Sequence, residues 1–466
     1  MGKVKLGHRS KVFREAFGDD FNPTSLAIVA IEVAKNKSMA AVFDYFGEQL
    51  HHSFFFTPDF RGVEEVCKVA TASAAKAGKT QLVYGLEHTG HYHEHIAAAL
   101  RERGCVLMPL NSLTTRRERD SMLDYNKTDD LDLHTITAAI SAGKSVADRY
   151  PVGRETKLRF ITRTRRGMVR DRARAFIALH TLLDHYWPYL QGVPEIVNGK
   201  PVLHRIFWKP WSEQAFEFLR HVKTPGQALS LGESGLEQLS REKRLRLGKR
   251  RIALILQAAK LAPKIEESLL GLYVVHLEEI LDTISYLNKR IGELERRSQA
   301  ILADSRGVLL LTIPQVGPVT AAEYMAEIGF QISNLTSASA IVKLGGTNPV
   351  LKQSGDHRGL ITKISRQGIV HLRCLTYMLG KNLLEGRGNP YFKAFGQRLK
   401  LLPKQKRIAV GNKAHHIAFA MLKKGEIFAP KTWQGPPLAD NPLKKLLPEF
   451  RDTASQQLKN LGIDRY

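Results

Sequence analysis

The chain has 466 residues, with 70 Lys or Arg against 45 Asp or Glu and a formal net charge of +25. An imbalance this large says nothing about fold but points to a polyanionic partner, nucleic acid first and an acidic membrane surface second. The length suggests two or three domains with ample cores; Cys67, Cys105 and Cys374 stand apart without metal-ligand spacing, as reduced thiols of a cytoplasmic protein do, and neither a signal peptide nor a membrane-spanning apolar run is visible.

Leu26 to Ala34 form an apolar run of strand length, interrupted by Glu32. A polar turn, Lys35 to Ser38, leads to a second apolar run, Met39 to Tyr45. The pair reads as a hairpin with an acid near the end of its first strand. The run Gln81 to Leu86 ends on Glu87, a helix-like segment continues to Arg103, and Val106 to Leu110 reads as another strand. A carboxylate inside an apolar strand is costly unless it is paired or hydrogen-bonded. Further on, Thr128 is a natural N-cap for a helix whose first turn carries Asp129 and Asp132 on one face. Two acids at strand ends and a helical Asp pair read best as a cage of hard oxygen ligands for Mg²⁺, with positions left open for phosphate.

The positive charge is clustered. Residues 154–174 include Lys157, Arg159, Arg163, Arg165, Arg166, Arg170, Arg172 and Arg174; residues 241–251 include Arg241, Lys243, Arg244, Arg246, Lys249, Arg250 and Arg251. As helices these would be basic stripes along rods. Arg163, Arg165, Arg166, Arg244, Lys249 and Arg250 are therefore candidate nucleic-acid contacts, whose reversal is expected to weaken binding with little effect on folding. Leu277, Ile280, Ile284, Leu287, Ile291, Leu294 and Ile301 follow a three-four spacing broken only by Ser298, an a/d seam of about three heptads. It suits a helical hairpin within the domain or a coiled coil between subunits. Residues 309–329 read as helix, Gly317-Pro318 turn and helix, a helix-hairpin-helix pattern whose turn presents backbone N–H groups to a DNA phosphate. Ser354 and Arg358 lie in the glycine-rich basic stretch that follows, where a serine is ordinarily a turn residue or a phosphate contact.

These pieces together resemble a known family. Glu32 in its strand, Leu86-Glu87-His88-Thr89-Gly90-His91-Tyr92, Asn126-Lys127-Thr128-Asp129 with Asp132, Ile313 to Ala321, and Gln353-Ser354-Gly355 stand in the order seen in the insertion-sequence-110 family of DEDD transposases. The resemblance spans roughly residues 25–425, including the late Ala414 to Gly425 helix. It implies a RuvC-like, RNase-H-type N-terminal domain and a C-terminal transposase domain that carries a serine. The acidic tetrad falls on Glu32, Glu87, Asp129 and Asp132, as catalytic Mg²⁺ ligands, and the serine on Ser354, as a nucleophile forming a covalent phosphoserine link to DNA. The family ordinarily has Asp where this chain has Glu32, which is one methylene longer. The implied partners are donor and target DNA, a guide RNA from the element itself, and further copies of the chain, as a dimer that pairs into a tetramer. A site-specific invertase of the same family, a RuvC-type nuclease using water, and an inert nucleic-acid binder are the alternatives.

The expected architecture is α/β plus α. Residues 1–150 form the catalytic domain around a mixed sheet, and 151–305 a basic helical and coiled-coil region. Residues 306–430 form an α-rich domain with the hairpin and Ser354, and 431–466 an irregular tail. Because the acids and the serine fall on either side of the rod, a composite site is expected, with acids from one subunit and the serine from another.

Overall fold

The computed structural model describes residues 8–464 apart from 88–89, 122–127, 146–152, 208–211, 336, 355–356, 386–388 and 431–440, and leaves out the side chains of 8–11, 334 and 351–362. His88, Thr89, Asn126, Lys127 and Gly355 of the motifs, and the side chains of Ser354 and Arg358, thus lie outside the described residues. Two compact units are formed, residues 1–150 and 151–466.

The first unit comprises α1 (His8–Phe17), β1 (Leu26–Glu32), β2 (Ser38–Asp44), β3 (Gln49–Phe56), α2 (Phe60–Lys76), β4 (Gln81–Glu87), α3 (His93–Glu102), β5 (Leu107–Leu110), α4 (Ser112–Ser121) and α5 (Asp129–Ser141). Its mixed sheet has the order β3-β2-β1-β4-β5. The strands β1, β4 and β5 are parallel, and β2 is antiparallel to both of its neighbours. This arrangement is compatible with the RNase-H-type expectation.

Strand alternation divides the core into two layers. Ala27, Val29, Ile31, Tyr84 and Leu86 face one side, where Val63, Val66 and Ala70 of α2 and Ile96 and Leu100 of α3 cover them. Leu26, Ile28, Ala30 and Val83 face the other side, against Phe13 of α1 and Leu133, Ile136 and Ile140 of α5. Gly85 lets α5 lie close to β4, since a Cβ there would sit 2.0 Å from Ile140 Cδ1. Two of the three cysteines are isolated in sequence but not in space. Cys67 and Cys105 approach to 3.9 Å between sulfurs. The contact with Cys105 holds the Cys67 thiol below the usual range, and the same contact raises Cys105.

The second unit comprises α6 (Arg154–Tyr186), β6 (Gly192–Val197), β7 (Lys200–Arg205), α7 (Glu213–His221), α8 (Pro225–Glu242), α9 (Lys249–Lys260), α10 (Glu267–Ala303), α11 (Pro318–Ile328), α12 (Ala338–Leu344), β8 (Pro349–Ser354), β9 (His357–Ile364), α13 (Val370–Leu384), α14 (Pro390–Gln397), α15 (Pro403–Lys424) and α16 (Arg451–Lys459). Helices α6 and α10 form a long antiparallel pair. Arg154 meets Asp304 at 2.8 Å, Arg172 bonds Asn288 at 2.7 Å, and the rings of Tyr186 and Tyr273 stack at 5.8 Å. Leu277, Ile280, Ile284, Leu287, Ile291 and Leu294 are buried within the chain, and the Oγ of the intervening Ser298 donates to the Glu295 carbonyl at 2.8 Å. The subunit reading of this seam is therefore corrected: α6 is its partner helix.

One core gathers the end of α6, helices α7 to α9 and the start of α10; a second gathers Leu158 near the start of α6, the end of α10, and α11 to α16. The change of core falls within α10, between Ile284 and Leu302, and because α6 and α10 run along both cores residues 151–466 form one unit with no break at 305. In the second core, α13 and α15 cross with backbones nearly touching, and a Cβ on Gly380 would lie 1.8 Å from the Arg407 carbonyl oxygen. Beside the crossing, buried His415 meets Thr376 Oγ1 through Nε2 at 2.8 Å. The tail, expected to be irregular, docks instead. Its described part buries Leu443, Leu446, Ala454 and Leu458 in this core and includes α16. Pro436 and Pro437 lie outside the described residues.

The basic stripes need a larger correction. Arg163 holds Glu327 bidentately at 3.0 and 2.9 Å; Arg165 bonds Glu295 at 2.8 Å and Glu323 at 3.3 Å; Arg166 also pairs with Glu323. Glu323 and Glu327 are buried on α11, so these arginines neutralise carboxylates that would otherwise be stranded. The second stretch is not one helix. It comprises the end of α8, a loop and the start of α9, with Leu245 and Leu247 turned inward and Arg244, Arg246, Lys249 and Arg250 exposed.

Reversal of Arg163, as Arg163→Glu, is accordingly expected to destabilise the protein by about 3 kcal/mol or more, because it strands a buried carboxylate beside a new one. Chemical denaturation measures this, and unchanged stability would contradict the structural role. A second expectation concerns pH. Burial pushes His415 down to about 3 from its ordinary 6.5. Between those values the unfolded chain binds a proton that the folded chain does not, so stability falls as pH drops below 6.5, by about 1.4 kcal/mol per unit for this group. His415→Gln should have a flatter stability profile from pH 6 to 4, and an identical slope would exclude the histidine as the cause.

Candidate active site

The alternation that builds the core also aims the acids. Glu32 follows Ile31 and Glu87 follows Leu86, and Ile31 and Leu86 are partners across the parallel β1–β4 pair. Both glutamates therefore end neighbouring strands in the same phase, on the face that α5 covers. The C-terminal edge of parallel strands is where α/β sheets place their chemistry.

Helix α5 runs antiparallel to β1. Its last residue, Ser141, donates to the Tyr45 carbonyl at 2.8 Å, beyond the end of β2 that pairs with the start of β1. Its first turn therefore lies toward Glu32 and Glu87. Thr128 caps it, accepting from the Leu131 N–H at 3.2 Å. Asp129 and Asp132 continue the stripe of Leu133, Ile136 and Ile140 by one turn, Asp129 exposed and Asp132 buried.

Helix α4 ties the two sources of carboxylate together. Thr115 donates to Glu87 Oε2 at 2.5 Å, and one turn later Arg119 pairs with Asp132. Residues four apart on a helix share a face, so Glu87 and Asp132 lie along the same side of α4. Lys144 pairs with Glu118 as a second clasp between α4 and the end of α5. Sequence reasoning passed over Thr115 and Arg119. The signal for them was positional: α4 starts directly after β5, at the edge where Glu87 ends β4.

Among the described residues no three His, Cys, Asp or Glu side chains are grouped as a ready set of metal ligands. Two of the four acids have protein partners instead, Glu87 with Thr115 and Asp132 with Arg119. The donor set nevertheless suits a hard divalent cation, being entirely carboxylate oxygen. Buried Asp132 also requires a positive partner, a requirement that Arg119 meets here.

The other singled-out residues belong to the second unit. Ser354 is the last residue of β8 and pairs in register with His357, the first of β9, so it borders the tip of a β-hairpin that the sequence suggested only as a loop; Arg358 follows on β9. Gly317 is the N-cap residue of α11, makes no side-chain cap, and has open space where a Cβ would lie. Val319 and Thr320 follow Pro318 in that first turn.

Comparisons with known proteins bear on both units. A DEDD transposase family named for IS110 matches residues 29–188, a span holding all four acids, and a family described as transposase IS116/IS110/IS902 matches residues 308–397, a span holding Gly317 and Ser354. The uncharacterized 44.8 kDa protein of insertion element IS116 from Streptomyces clavuligerus is 23% identical over 418 residues, which cover 86% of this chain and 96% of that protein. Two family matches in the right order and the relative that spans both agree: the chain belongs to the IS110 family of insertion-sequence transposases.

Proposed function

We propose that this transposase cuts and rejoins DNA strands with Glu32, Glu87, Asp129 and Asp132 as holders of Mg²⁺ and Ser354 as the nucleophile. The observation that carries the reading is the carboxylate edge: two strand-end glutamates in one phase, with the acidic first turn of α5 directed toward them. A divalent cation held there would polarise the scissile phosphate as a Lewis acid. The chain's own residues do the rest. Arg119 pairs with Asp132 and orients it, and Thr115 fixes one oxygen of Glu87. The Ser354 oxygen forms a bond to phosphorus as the bond from phosphorus to O3′ breaks; the serine proton leaves to a base and the 3′-oxygen departs as a hydroxyl. The ester conserves the energy of the phosphodiester, so attack by a 3′-hydroxyl on it rejoins a strand without a nucleotide cofactor. The open start of α11 at Gly317 suits a backbone phosphate contact.

Guidance by an RNA from the element is part of the same proposal, supported by the resemblance and by the charge of +25. Assembly into a dimer or tetramer is proposed because exchange between two duplexes needs more than one active site. The α10 seam does not serve for it.

Ser354→Ala should abolish both the denaturant-resistant protein–DNA adduct and strand joining, whereas a nuclease that uses water would still cut. Asp132→Asn should reduce Mg²⁺-dependent cleavage by roughly 100-fold or more while leaving DNA affinity nearly unchanged. Adduct formation by Ser354→Ala at the unmodified rate would reject the serine.

Arg244, Lys249 and Arg250 remain the proposed phosphate contacts of the middle region, because they are exposed while Arg163, Arg165 and Arg166 are committed to glutamates. Reversing the exposed three should lower nucleic-acid affinity and flatten the slope of log K against log salt by about 0.9 for each duplex phosphate that is no longer neutralised. Stability should be unaffected, and an unchanged slope would make the loop a solvated surface only.

A further inference from the structure

The hairpin turn between Thr312 and α11 is held from outside by the C-terminal segment. The ammonium of Lys445 donates to three backbone carbonyls of the turn, those of Leu311 at 2.5 Å, Ile313 at 3.1 Å and Val316 at 3.0 Å. An ammonium has three donors, and each has a carbonyl here. The turn needs this help. Gln315 stands at φ +70°, a left-handed conformation that a residue other than glycine adopts with strain. Within the turn, the Ile313 N–H reaches the Leu310 carbonyl and the Val316 N–H reaches the Ile313 carbonyl, both at 3.1 Å. Leu311 and Val316 direct their carbonyls to the lysine.

Lys445 is itself well placed. It ends a 3₁₀ turn, Pro442–Lys445, capped by Asn441, between the buried Leu443 and Leu446. Gln299 of α10 accepts from the Leu447 N–H at 3.0 Å, and Arg296 pairs with Glu449 at 2.5 Å. The segment therefore delivers one compact cation to a small ring of carbonyl oxygens. A planar guanidinium could not meet three converging acceptors in this way.

We infer that Lys445 is a positioning residue for the hairpin: its ammonium is the cation around which residues 311–317 set, and it thereby fixes the start of α11 that faces phosphate. The same ring of carbonyls is the kind of environment that replaces the hydration shell of a monovalent ion. A potassium ion therefore takes over when the lysine's charge is removed. The link to DNA rests on the phosphate contact proposed for Gly317; the hold on the turn does not.

The test uses the full-length protein and Lys445→Ala, which deletes the charge and leaves the space of the stem open to an ion and its waters. Amide exchange of residues 313–321 and affinity for duplex DNA are measured in choline chloride and in potassium chloride at equal ionic strength. In choline the variant should exchange faster across the turn and bind about tenfold more weakly, a loss of about 1.4 kcal/mol. Potassium should restore both, while the unmodified protein responds to neither salt exchange. Unchanged exchange and affinity in choline would overturn the inference, and so would a loss that potassium does not repair, since the lysine would then only pack. Salt-dependent exchange with constant affinity would uphold the lysine's role and overturn the phosphate contact. If the variant does not fold in choline, folding in potassium supports the inference and failure in both salts overturns it.

Discussion

The close antiparallel packing of α5 against β1 and β4 is the contact on which the carboxylate edge depends. Strand alternation alone brings Glu32 and Glu87 to one face of the sheet. It does nothing for Asp129 and Asp132, which come from a helix more than forty residues later. They reach the same edge because Leu133, Ile136 and Ile140 lie on the apolar face of β1 and β4, and Gly85 has no side chain in the way. The proposed site is thus an extension of the core by one helical turn. Buried leucines and isoleucines set where the acids point, and Thr115 and Arg119 then fix their oxygens.

The second unit uses charge differently. Its long helices carry many arginines, yet three of them are spent inside the protein, where Glu323 and Glu327 would be intolerable without them. Arg159 adds a bond to the Ala326 carbonyl at 3.0 Å, and Glu155 accepts from the Phe330 N–H at 2.5 Å, so this end of α6 is fastened along the length of α11. High positive charge therefore has two meanings in one chain. At Arg159, Arg163, Arg165 and Arg166 of α6 it is structural, while in the loop between α8 and α9 it is directed to solvent.

What could be read in the sequence follows from the range of the forces involved. The strands ending in Glu32 and Glu87, and the Thr128-capped helix, are written in neighbouring residues, and the structure has them within a residue or two of the expected limits. The heptad seam is equally local, but its partner is not. Nothing in residues 277–301 tells whether α6 or another subunit covers them. Arg163, Arg165 and Arg166 resist a local reading for the same reason, because their glutamates lie 130 to 164 positions away. Cys67 and Cys105 look solitary in the sequence because only the fold brings α2 beside the loop between α3 and β5. The tail reads as irregular because prolines dominate its start, while Leu443 and Leu446, which anchor it, form no periodic pattern.

The order of these contacts along the chain has a consequence for synthesis. Helix α6 emerges from the ribosome well before α10 and α11, which cover its apolar face and neutralise its arginines. Until residue 327 has been made, Arg163 has no Glu327 to hold. During that interval the nascent chain exposes an uncovered apolar stripe and a run of free guanidinium groups in surroundings rich in RNA. Pairings so distant in sequence also close slowly. Completion of this unit is therefore a late event of translation, and any pause or truncation before α11 releases a polypeptide that is sticky and strongly cationic at once.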